Sequence, residues 1–116
     1  MAHEPIVVRD VNVAAARDLI NQGALLLDVR EANEWAAGHA PEATHLPLAH
    51  IANAPSLVRA DQSVVVICRS GNRSRVAAEA LLSRGVSAVN LAGGMIAWAQ
   101  GGESVTDSNG HSGTVI

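Results

Sequence analysis

The sequence has 116 residues and contains no lysine, no phenylalanine and no tyrosine; its aromatic residues are two tryptophans. All eight basic residues are arginines, and eleven acidic residues give a formal net charge of -3. This balance excludes an overall positive field that would hold nucleic acid or an anionic membrane surface. No apolar run approaches the roughly 20 residues of a membrane span, and the first residues lack the pattern of a secretory signal. We therefore expect a cytoplasmic protein with neither a nucleic-acid nor a membrane partner.

Cysteine occurs once, as Cys68, which limits the thiol chemistry of this chain. A single thiol forms no intramolecular disulfide and cannot build a multi-thiolate zinc or iron–sulfur site. The histidines at positions 39, 45 and 50 are separated by two prolines and a predicted strand, so we expect no metal site and no cofactor. Cys68 is then either an inert packing residue or a reactive nucleophile.

Short β-branched runs alternate with helical stretches, and hydrophobic residues, at 48%, are numerous enough for a buried core. The pattern predicts strands over 6–8, 25–29, 44–46, 63–68 and 88–91, and helices over 13–22, 31–37, 47–56, 73–84 and 95–100. Parallel strands need such crossovers, so the alternation predicts a single α/β domain with a parallel sheet. We assign residues 1–100 to this domain and interpret the Gly/Ser-rich residues 101–116 as a mobile tail.

Cys68 stands where the most apolar predicted strand ends and a predicted helix is about to begin. Ligands of parallel α/β folds bind at this end of the strands. The positive end of the helix dipole and nearby arginines both favour the thiolate, so we expect a lowered pKa for Cys68. The arginines that follow the cysteine are Arg69, Arg73 and Arg75.

The residues between Cys68 and the helix suit the binding of an anion. Gly71 can adopt backbone conformations closed to other residues, so that successive N–H groups point inward and form a cup. Ser70, Asn72 and Ser74 add hydrogen-bonding side chains, and the loop is predicted to hold an anion beside a nucleophilic sulfur. The alternatives are an inert buried thiol and a phosphate-binding loop with an incidental cysteine, although the chain has no Gly-Lys-Ser/Thr motif.

Residues 68–74, Cys-Arg-Ser-Gly-Asn-Arg-Ser, resemble the active-site loop of the rhodanese (thiosulfate sulfurtransferase) family. Residues 27–30 (Leu-Asp-Val-Arg), 34–35 (Glu-Trp) and 38–43 (Gly-His-Ala-Pro-Glu-Ala) resemble its first signature, although the usual Ile-Pro-Gly-Ala is Ala-Pro-Glu-Ala here. Residues 46–48 (Leu-Pro-Leu) match the strand that follows. Residues 91–98 resemble the closing signature Leu-x-Gly-Gly-x-x-x-Trp. The segments keep the family's order over about residues 5–101, so the chain is identified as a member of that family.

The resemblance implies a rhodanese-like three-layer α/β/α domain with a five-stranded parallel sheet. It also implies a sulfurtransferase in which the Cys68 thiolate attacks the outer sulfur of thiosulfate or a related donor, sulfite leaves, and a persulfide remains. The N–H groups of residues 69–74 would stabilise the persulfide, and Arg69 and Arg73 would orient the anionic donor. With no second cysteine in the chain, the acceptor must come from outside, as cyanide, a thiol or a thioredoxin-like protein. A monomer and a homodimer both stay open.

Asp28, Arg30 and His39 are the candidate supporting residues. Asp28 and Arg30 either place charge near the mouth of the site or form a structural pair. Glu34, four residues after Arg30, favours an ion pair with it. His39 is expected near the mouth of the loop. The tryptophans at 35 and 98 are expected to fill core space that phenylalanine and tyrosine would otherwise occupy.

Two other functions stay open from the sequence. A persulfide carrier that serves a partner protein is one, because carrier and enzyme share every motif. A rhodanese-related phosphatase or arsenate reductase is less favoured, because a phosphatase loop places an arginine six residues after the cysteine. Here that position is Ser74, and Arg73 is only five residues on.

Overall fold

The computed structural model describes residues 5–116, in which strands and helices alternate. The strands are β1 (Asp10–Val11), β2 (Leu25–Asp28), β3 (Thr44–His45), β4 (Val64–Ile67) and β5 (Ala88–Leu91). The helices are α1 (Val13–Asn21), α2 (Ala32–Ala37), α3 (Asn72–Ser83) and α4 (Gly94–Gln100), and a 3-10 helix spans Leu48–Leu57. These strands form one parallel five-stranded sheet in the order β1-β5-β4-β2-β3, which confirms the predicted architecture. No helix within residues 5–116 is both long and apolar enough to cross a membrane.

β4 lies at the centre of the sheet and is apolar along its whole length. All of its residues are buried, and it pairs with β2 on one side and β5 on the other. Val64 and Val66 contribute to the core cluster that α3 and the 3-10 helix cover. Val65 and Ile67 contribute to the cluster that α1 and α4 cover. Because strand side chains alternate between faces, a continuous apolar run is what a strand buried on both faces requires.

The parallel direction of the strands brings their carboxyl ends to one edge of the sheet. Asp28 ends β2, Cys68 follows β4, and Leu91 ends β5 shortly before α4 begins. The predicted nucleophile and the candidate acidic residue therefore share this edge. The fold thus positions the groups that the sequence separates by many residues.

Two elements differ from their predictions. The edge strand was predicted at 6–8 but lies at Asp10–Val11, where it pairs with β5. Ile6 and Val7 are 47% and 78% exposed, and of this run only Val8 packs against the core, so residues 6–8 form no strand. The predicted helix over 47–56 is a 3-10 helix, and Pro55 within it lacks the backbone N–H that an α-helix would use.

Residues 101–116, which we call the C-terminal strap, fold back onto the domain, whereas the sequence predicted a mobile tail. Thr106 pairs with His39 in an antiparallel bridge, and the Thr114 N–H donates to the Ala37 carbonyl oxygen at 2.9 Å. Gly38 permits this approach, because a Cβ at that position would lie 2.5 Å from the Thr114 carbonyl oxygen. The domain boundary at residue 100 stays a prediction.

Candidate active site

Cys68 lies at the edge of the sheet where the strands end, directly after β4. The residue is buried, with 1% of its surface exposed. Its carbonyl oxygen accepts a hydrogen bond from the Met95 N–H at 2.8 Å, and the Arg69 carbonyl oxygen accepts one from the Ile96 N–H at 3.2 Å. The first turn of α4 therefore holds the backbone of the loop that begins at Cys68.

The paired glycines before α4 explain how this helix approaches the loop so closely. Gly93 and Gly94 have φ angles of 80° and 55°, in the region that favours glycine. A Cβ at Gly94 would overlap the Cys68 carbonyl oxygen and the Arg69 backbone. The Gly-Gly motif thus belongs to the site, because it lets α4 support the loop.

Hydrogen-bonding groups of residues 70–74 lie around the sulfur of Cys68. The Gly71 N–H donates to Sγ at 3.1 Å, and the Ser74 hydroxyl oxygen lies 3.2 Å from Sγ. Gly71 has a φ of 111°, a backbone conformation that favours glycine, as expected of a residue chosen for conformations closed to other side chains. The side chains of Ser70 and Asn72 are exposed and make no hydrogen bond to the sulfur. The loop therefore places hydrogen-bond donors at the sulfur, although Cys68 also belongs to the apolar core cluster that α3 covers.

Opposing effects act on the pKa of Cys68. Burial, the largest single influence, raises the pKa because it disfavours the thiolate. Hydrogen bonds from the Ser74 hydroxyl and from the backbone N–H groups of Ser74, Gly71 and Ser70 together bring the pKa below the ordinary value of a thiol. The predicted direction is confirmed, but the donors of the loop, not the arginines, are the main favourable influence.

Two of the three nearby arginines are paired with carboxylates. Arg73 donates to both carboxylate oxygens of Glu34, at 2.6 and 2.8 Å, and Arg75 donates to Asp10 at 2.6 Å. The pKa of Arg73 is raised mainly by Glu34 and in smaller part by the charge of Cys68. Acids from α2 and β1 therefore offset the charges of Arg73 and Arg75, although Arg73 still interacts with the charge of Cys68.

Arg69 differs from the other two arginines. It is exposed, and its Nε donates to the backbone oxygen of Ile116 at 3.0 Å. In the described part of the chain no Asp or Glu side chain pairs with it. Arg69 is thus the one of these three arginines that no acidic side chain neutralises.

A buried polar chain that the sequence did not predict leads from the sulfur into β5. The Ser74 hydroxyl donates to Asn90 Oδ1 at 2.5 Å, and both residues are buried. Asn90 Nδ2 donates to Asp10 Oδ1 at 2.9 Å and to the Gly71 carbonyl oxygen at 3.2 Å. A signal for Asn90 is present in the sequence, since it is the single polar residue of the predicted strand 88–91.

The arrangement of a loop cysteine between the central strand and a helix is matched by a known family. A family model described as the rhodanese-like domain covers residues 12–101. The chain belongs to the rhodanese-like family. This confirms the membership that the loop and signature motifs indicated.

The rhodanese-like domain is similar to curated proteins with sulfurtransferase names. A sulfurtransferase of Allochromatium vinosum is 40% identical over 90 residues, which are 77% of this chain and 84% of that protein. The thiosulfate sulfurtransferase GlpE of Pseudomonas savastanoi pv. phaseolicola is 38% identical over 84 residues, 72% of this chain and 79% of that protein. The crystal structure of a rhodanese-related protein from Thermoplasma volcanium is 31% identical with a TM-score of 0.76, over 84% of this chain and 97% of that one. These similarities support a general sulfurtransferase role.

Asp28 and Arg30 form a buried ion pair in the rhodanese-like domain. Arg30 Nε and Nη2 donate to the Asp28 carboxylate at 2.8 to 3.1 Å, and Nη2 also donates to the Gly38 carbonyl oxygen at 2.7 Å. The predicted ion pair between Arg30 and Glu34 is wrong, because the Glu34 carboxylate pairs with Arg73 and only its backbone carbonyl accepts from Arg30. Arg30 therefore ties the end of β2 to the middle of α2 and to Gly38 at its C-terminal end.

His39 joins α2 to the strap and makes no hydrogen bond to residues 68–74. Its ring stacks on Trp35 with centroids 3.6 Å apart, and its Nδ1 donates to the Trp35 carbonyl oxygen at 2.7 Å. His45 also stacks on Trp35, so this tryptophan is a half-buried stacking partner, whereas Trp98 fills the core as predicted. Within residues 5–116 no three His, Cys, Asp or Glu side chains are placed to hold a metal ion.

Proposed function

We propose that this rhodanese-like domain is an enzyme that transfers sulfane sulfur from thiosulfate or a related donor to a thiophilic acceptor through a persulfide on Cys68. The observation that carries the proposal is the setting of the sulfur. It is buried, yet the Gly71 N–H and the Ser74 hydroxyl lie at hydrogen-bonding distance, and its pKa is below the ordinary value. An inert packing thiol lacks such donors, and burial alone would raise its pKa.

In the first step, the Cys68 thiolate attacks the outer sulfur of the donor. A bond forms between Sγ and that sulfur, the sulfur–sulfur bond of thiosulfate breaks, and sulfite leaves with the electron pair. The Cys68 persulfide that remains carries the negative charge. The backbone N–H groups of the loop, Gly71 above all, are the donors that we assign to stabilising this charge.

In the second step, an acceptor attacks the outer sulfur of the persulfide. The new bond forms on the acceptor, the bond to Cys68 breaks, and Sγ leaves with its electron pair as a thiolate. Cyanide gives thiocyanate, and a thiolate gives a new persulfide. Because Cys68 is the only cysteine in the sequence, the acceptor thiol belongs to a small molecule or to another protein such as a thioredoxin-like one.

Arg69 is the residue that we assign to attraction of the anionic donor. Arg73 shares this role in the sequence-based expectation, but its guanidinium is paired with Glu34. Arg69→Ala should raise KM for thiosulfate about 2- to 5-fold with little change in kcat, since one exposed charge pair contributes up to about 1 kcal/mol. Arg59→Ala is the control. It also removes one arginine charge, but Arg59 precedes the N-terminal end of β4, away from Cys68, so KM should stay unchanged. A larger rise for Arg73→Ala than for Arg69→Ala would assign the role to Arg73.

The test of the persulfide is the intact mass of the protein after brief exposure to thiosulfate under non-reducing conditions. We expect a gain of one sulfur atom in the unmodified protein and none in Cys68→Ser. Ser108→Ala, in the strap, is a serine control that should load normally. If the thiol is shown to be reactive and no sulfur is gained, thiosulfate is not the donor.

The single cysteine also favours a second candidate function, that of a persulfide carrier for a partner protein. Steady-state turnover with thiosulfate and cyanide separates the two. An enzyme forms many equivalents of thiocyanate for each Cys68, whereas a carrier loads one sulfur and then turns over slowly. Hydrolysis of a phosphate ester or reduction of arsenate that depends on Cys68, without sulfur loading, would contradict both.

A further inference from the structure

The hydrogen bonds around Asn90 allow only one orientation of its side-chain amide. Two oxygens lie on one side of the amide: the Asp10 carboxylate at 2.9 Å and the Gly71 carbonyl at 3.2 Å. Neither oxygen has a proton to donate, so the amide nitrogen, with its two protons, must face both. Asn90 Oδ1 therefore faces Ser74 and can only accept a hydrogen bond.

This orientation decides where the single hydroxyl proton of Ser74 is donated. Ser74 Oγ lies 2.5 Å from Asn90 Oδ1 and 3.2 Å from Cys68 Sγ. Because Oδ1 is an acceptor only, the proton of Ser74 is donated to Asn90. The contact between Ser74 and the sulfur is then satisfied when the neutral thiol donates its own proton to Oγ.

Ionisation of the thiol changes this pattern. The sulfur becomes an acceptor, so that Sγ and Asn90 Oδ1 compete for the one proton of Ser74. We propose that Asn90 is a positioning residue that holds the Ser74 proton away from the neutral thiol, and that this proton turns to Cys68 Sγ when the sulfur is an anion. Asn90 is 1% exposed, so bulk water does not replace the hydrogen bond that its oxygen loses. Asn90 therefore opposes formation of the anion.

We call Cys68, Ser74 and Asn90 the Ser74 relay. The charged groups around this relay are paired. Asp10, from β1, pairs with Arg75 of α3, and hydrogen bonds from Arg75 and Asn90 lower the pKa of Asp10. Glu34, from α2, pairs with Arg73 of α3, and its pKa is lowered to about 2, mainly by that arginine. Both acids stay ionised while the thiol titrates. They supply a constant background, so a change in their ionisation does not contribute to a shift of the Cys68 titration when Asn90 is replaced.

For sulfur transfer, which rests on the function proposed above, the relay acts when the sulfur carries charge. Cys68 is an anion when it attacks the donor and again when it leaves the persulfide with the electron pair. The Ser74 proton reaches the sulfur in those states and not in the neutral thiol. In the second step charge develops on Sγ as it leaves the persulfide, so an interaction that strengthens with this charge lowers that barrier. In the first step the attacking thiolate is already charged, and the same interaction favours the thiolate over the neutral thiol.

The pKa of Cys68 in the absence of any sulfur donor tests the proposal independently of the proposed function. The ultraviolet absorbance of the thiolate reports one group here, because the chain has one cysteine and no tyrosine. Asn90→Ala should lower the pKa by about half a unit to one unit, and Ser74→Ala should raise it by a similar amount, the effect of one ordinary hydrogen bond. Val89 is on the same strand, but its side chain packs against the core cluster on the other face of the sheet. Val89→Ala should therefore leave the pKa of Cys68 unchanged.

The double variant Ser74→Ala/Asn90→Ala separates the relay from a general structural role. If Asn90 acts through the Ser74 proton, the double variant has the same pKa as Ser74→Ala alone. A downward shift that persists without Ser74 would mean that Asn90 acts through the Gly71 backbone, and would overturn the proposal. An unchanged or raised pKa in Asn90→Ala alone would overturn it as well.

A measurement on the unmodified protein keeps the proposal testable if the variants do not fold. The side-chain carbonyl carbon of Asn90, followed by nuclear magnetic resonance, should shift in a single step at the pKa of Cys68, because its oxygen loses the hydrogen bond from Ser74. The exposed Asn53 should show no such step. A titration in which the Asn90 resonance stays constant would overturn the proposal.

Discussion

Two buried polar networks lie at the carboxyl ends of neighbouring strands, one after β2 and one after β4. The first joins Asp28 to Arg30, both with fully buried side chains, and its donors reach the carboxylate and two backbone carbonyl oxygens. The second joins Cys68, Ser74 and Asn90 without a net charge in the thiol form. In the described part of the chain neither network leaves a buried side-chain nitrogen or oxygen without a partner.

The difference between the networks lies in how many arrangements satisfy them. Arg30 has only donors and Asp28 only acceptors, so their pair has one good arrangement and stays as it is. Ser74 has one proton and two possible acceptors once the sulfur is an anion, so the second network can rearrange. A hydrogen-bond network that can rearrange can respond to a change of charge on Cys68. A network with one arrangement can only hold its residues in place. We therefore assign Asp28 and Arg30 to holding α2 in place.

Breaking the Asp28–Arg30 pair should give the largest loss of stability. Arg30→Met leaves the Asp28 carboxylate buried without its partner and should reduce the free energy of unfolding by about 3–5 kcal/mol. Asp28→Leu/Arg30→Met, which removes both charges, should be more stable than Arg30→Met. Urea unfolding measures all three proteins. If the double variant is the least stable, hydrogen bonds from Arg30 to the backbone, and not the unpaired charge, dominate the loss.

Breaking the network of Cys68, Ser74 and Asn90 should reduce the free energy of unfolding by less, but should reduce activity by more. Ser74→Ala removes the donor to Asn90 Oδ1, and a buried acceptor left alone costs about 1–3 kcal/mol. Because the Cys68 pKa rises in this variant, its sulfur transfer should be weak at neutral pH and recover as the pH rises. A pH profile of kcat/KM with thiosulfate and cyanide measures the effect.

Ser83→Ala, which lies near the end of the same helix and only donates to a backbone carbonyl oxygen of its own turn, is the matched control. It should leave the pH profile unchanged. A uniform loss of activity in Ser74→Ala at every pH would indicate a distorted loop instead of a shifted pKa.

The elements that the sequence predicted well are those with a strong local pattern. The central strand is an apolar run bounded by polar residues, and the loop after Cys68 carries its glycine and donors in consecutive positions. The edge strand β1 was misplaced because it consists of two residues, Asp10–Val11, whose strand character comes from pairing with β5. Local apolar content favoured 6–8 instead.

The partners of the arginines could not be predicted from the sequence. Arg73 and Glu34 are 39 residues apart, and Arg75 and Asp10 are 65 apart, so their pairing depends on how the sheet brings α2, α3 and β1 together. The local rule of four-residue spacing pointed from Arg30 to Glu34. That rule fails here because Asp28, at the end of β2, offers Arg30 a fully buried carboxylate.

The Glu34–Arg73 pair is more exposed than either network and should have a smaller effect than both. The pKa of Glu34 is lowered from 4.5 to about 2, mainly by Arg73, so the pair adds stability that is complete above 4.5 and is lost as the pH falls through about 2. The Arg73 side chain is 36% exposed, and solvent screening limits the contribution to about 1 kcal/mol or less. The free energies of urea unfolding of Glu34→Gln and of the unmodified protein should differ above pH 4.5 and converge near pH 2.

Glu79→Gln is the control for this comparison, because Glu79 is exposed on α3 and has no ion pair in residues 5–116. Its free energy of unfolding should follow that of the unmodified protein over the same range. A pH dependence that is identical in Glu34→Gln and the unmodified protein would mean that screening removes the contribution of the pair altogether.

Arg69 should have the smallest effect on global stability and a local effect on the strap. Its exposed hydrogen bond to Ile116 should change the free energy of unfolding by less than about 0.5 kcal/mol on removal, as for most surface substitutions. Arg69→Ala should nevertheless speed amide hydrogen exchange at Thr114, which lies two residues from that contact, and leave exchange in β4 unchanged. Equal exchange at Thr114 in both proteins would show that the bonds to α2 and the bridge to His39 hold the strap without Arg69. The charge of Arg69 would then be available to an anionic donor at no cost to the strap.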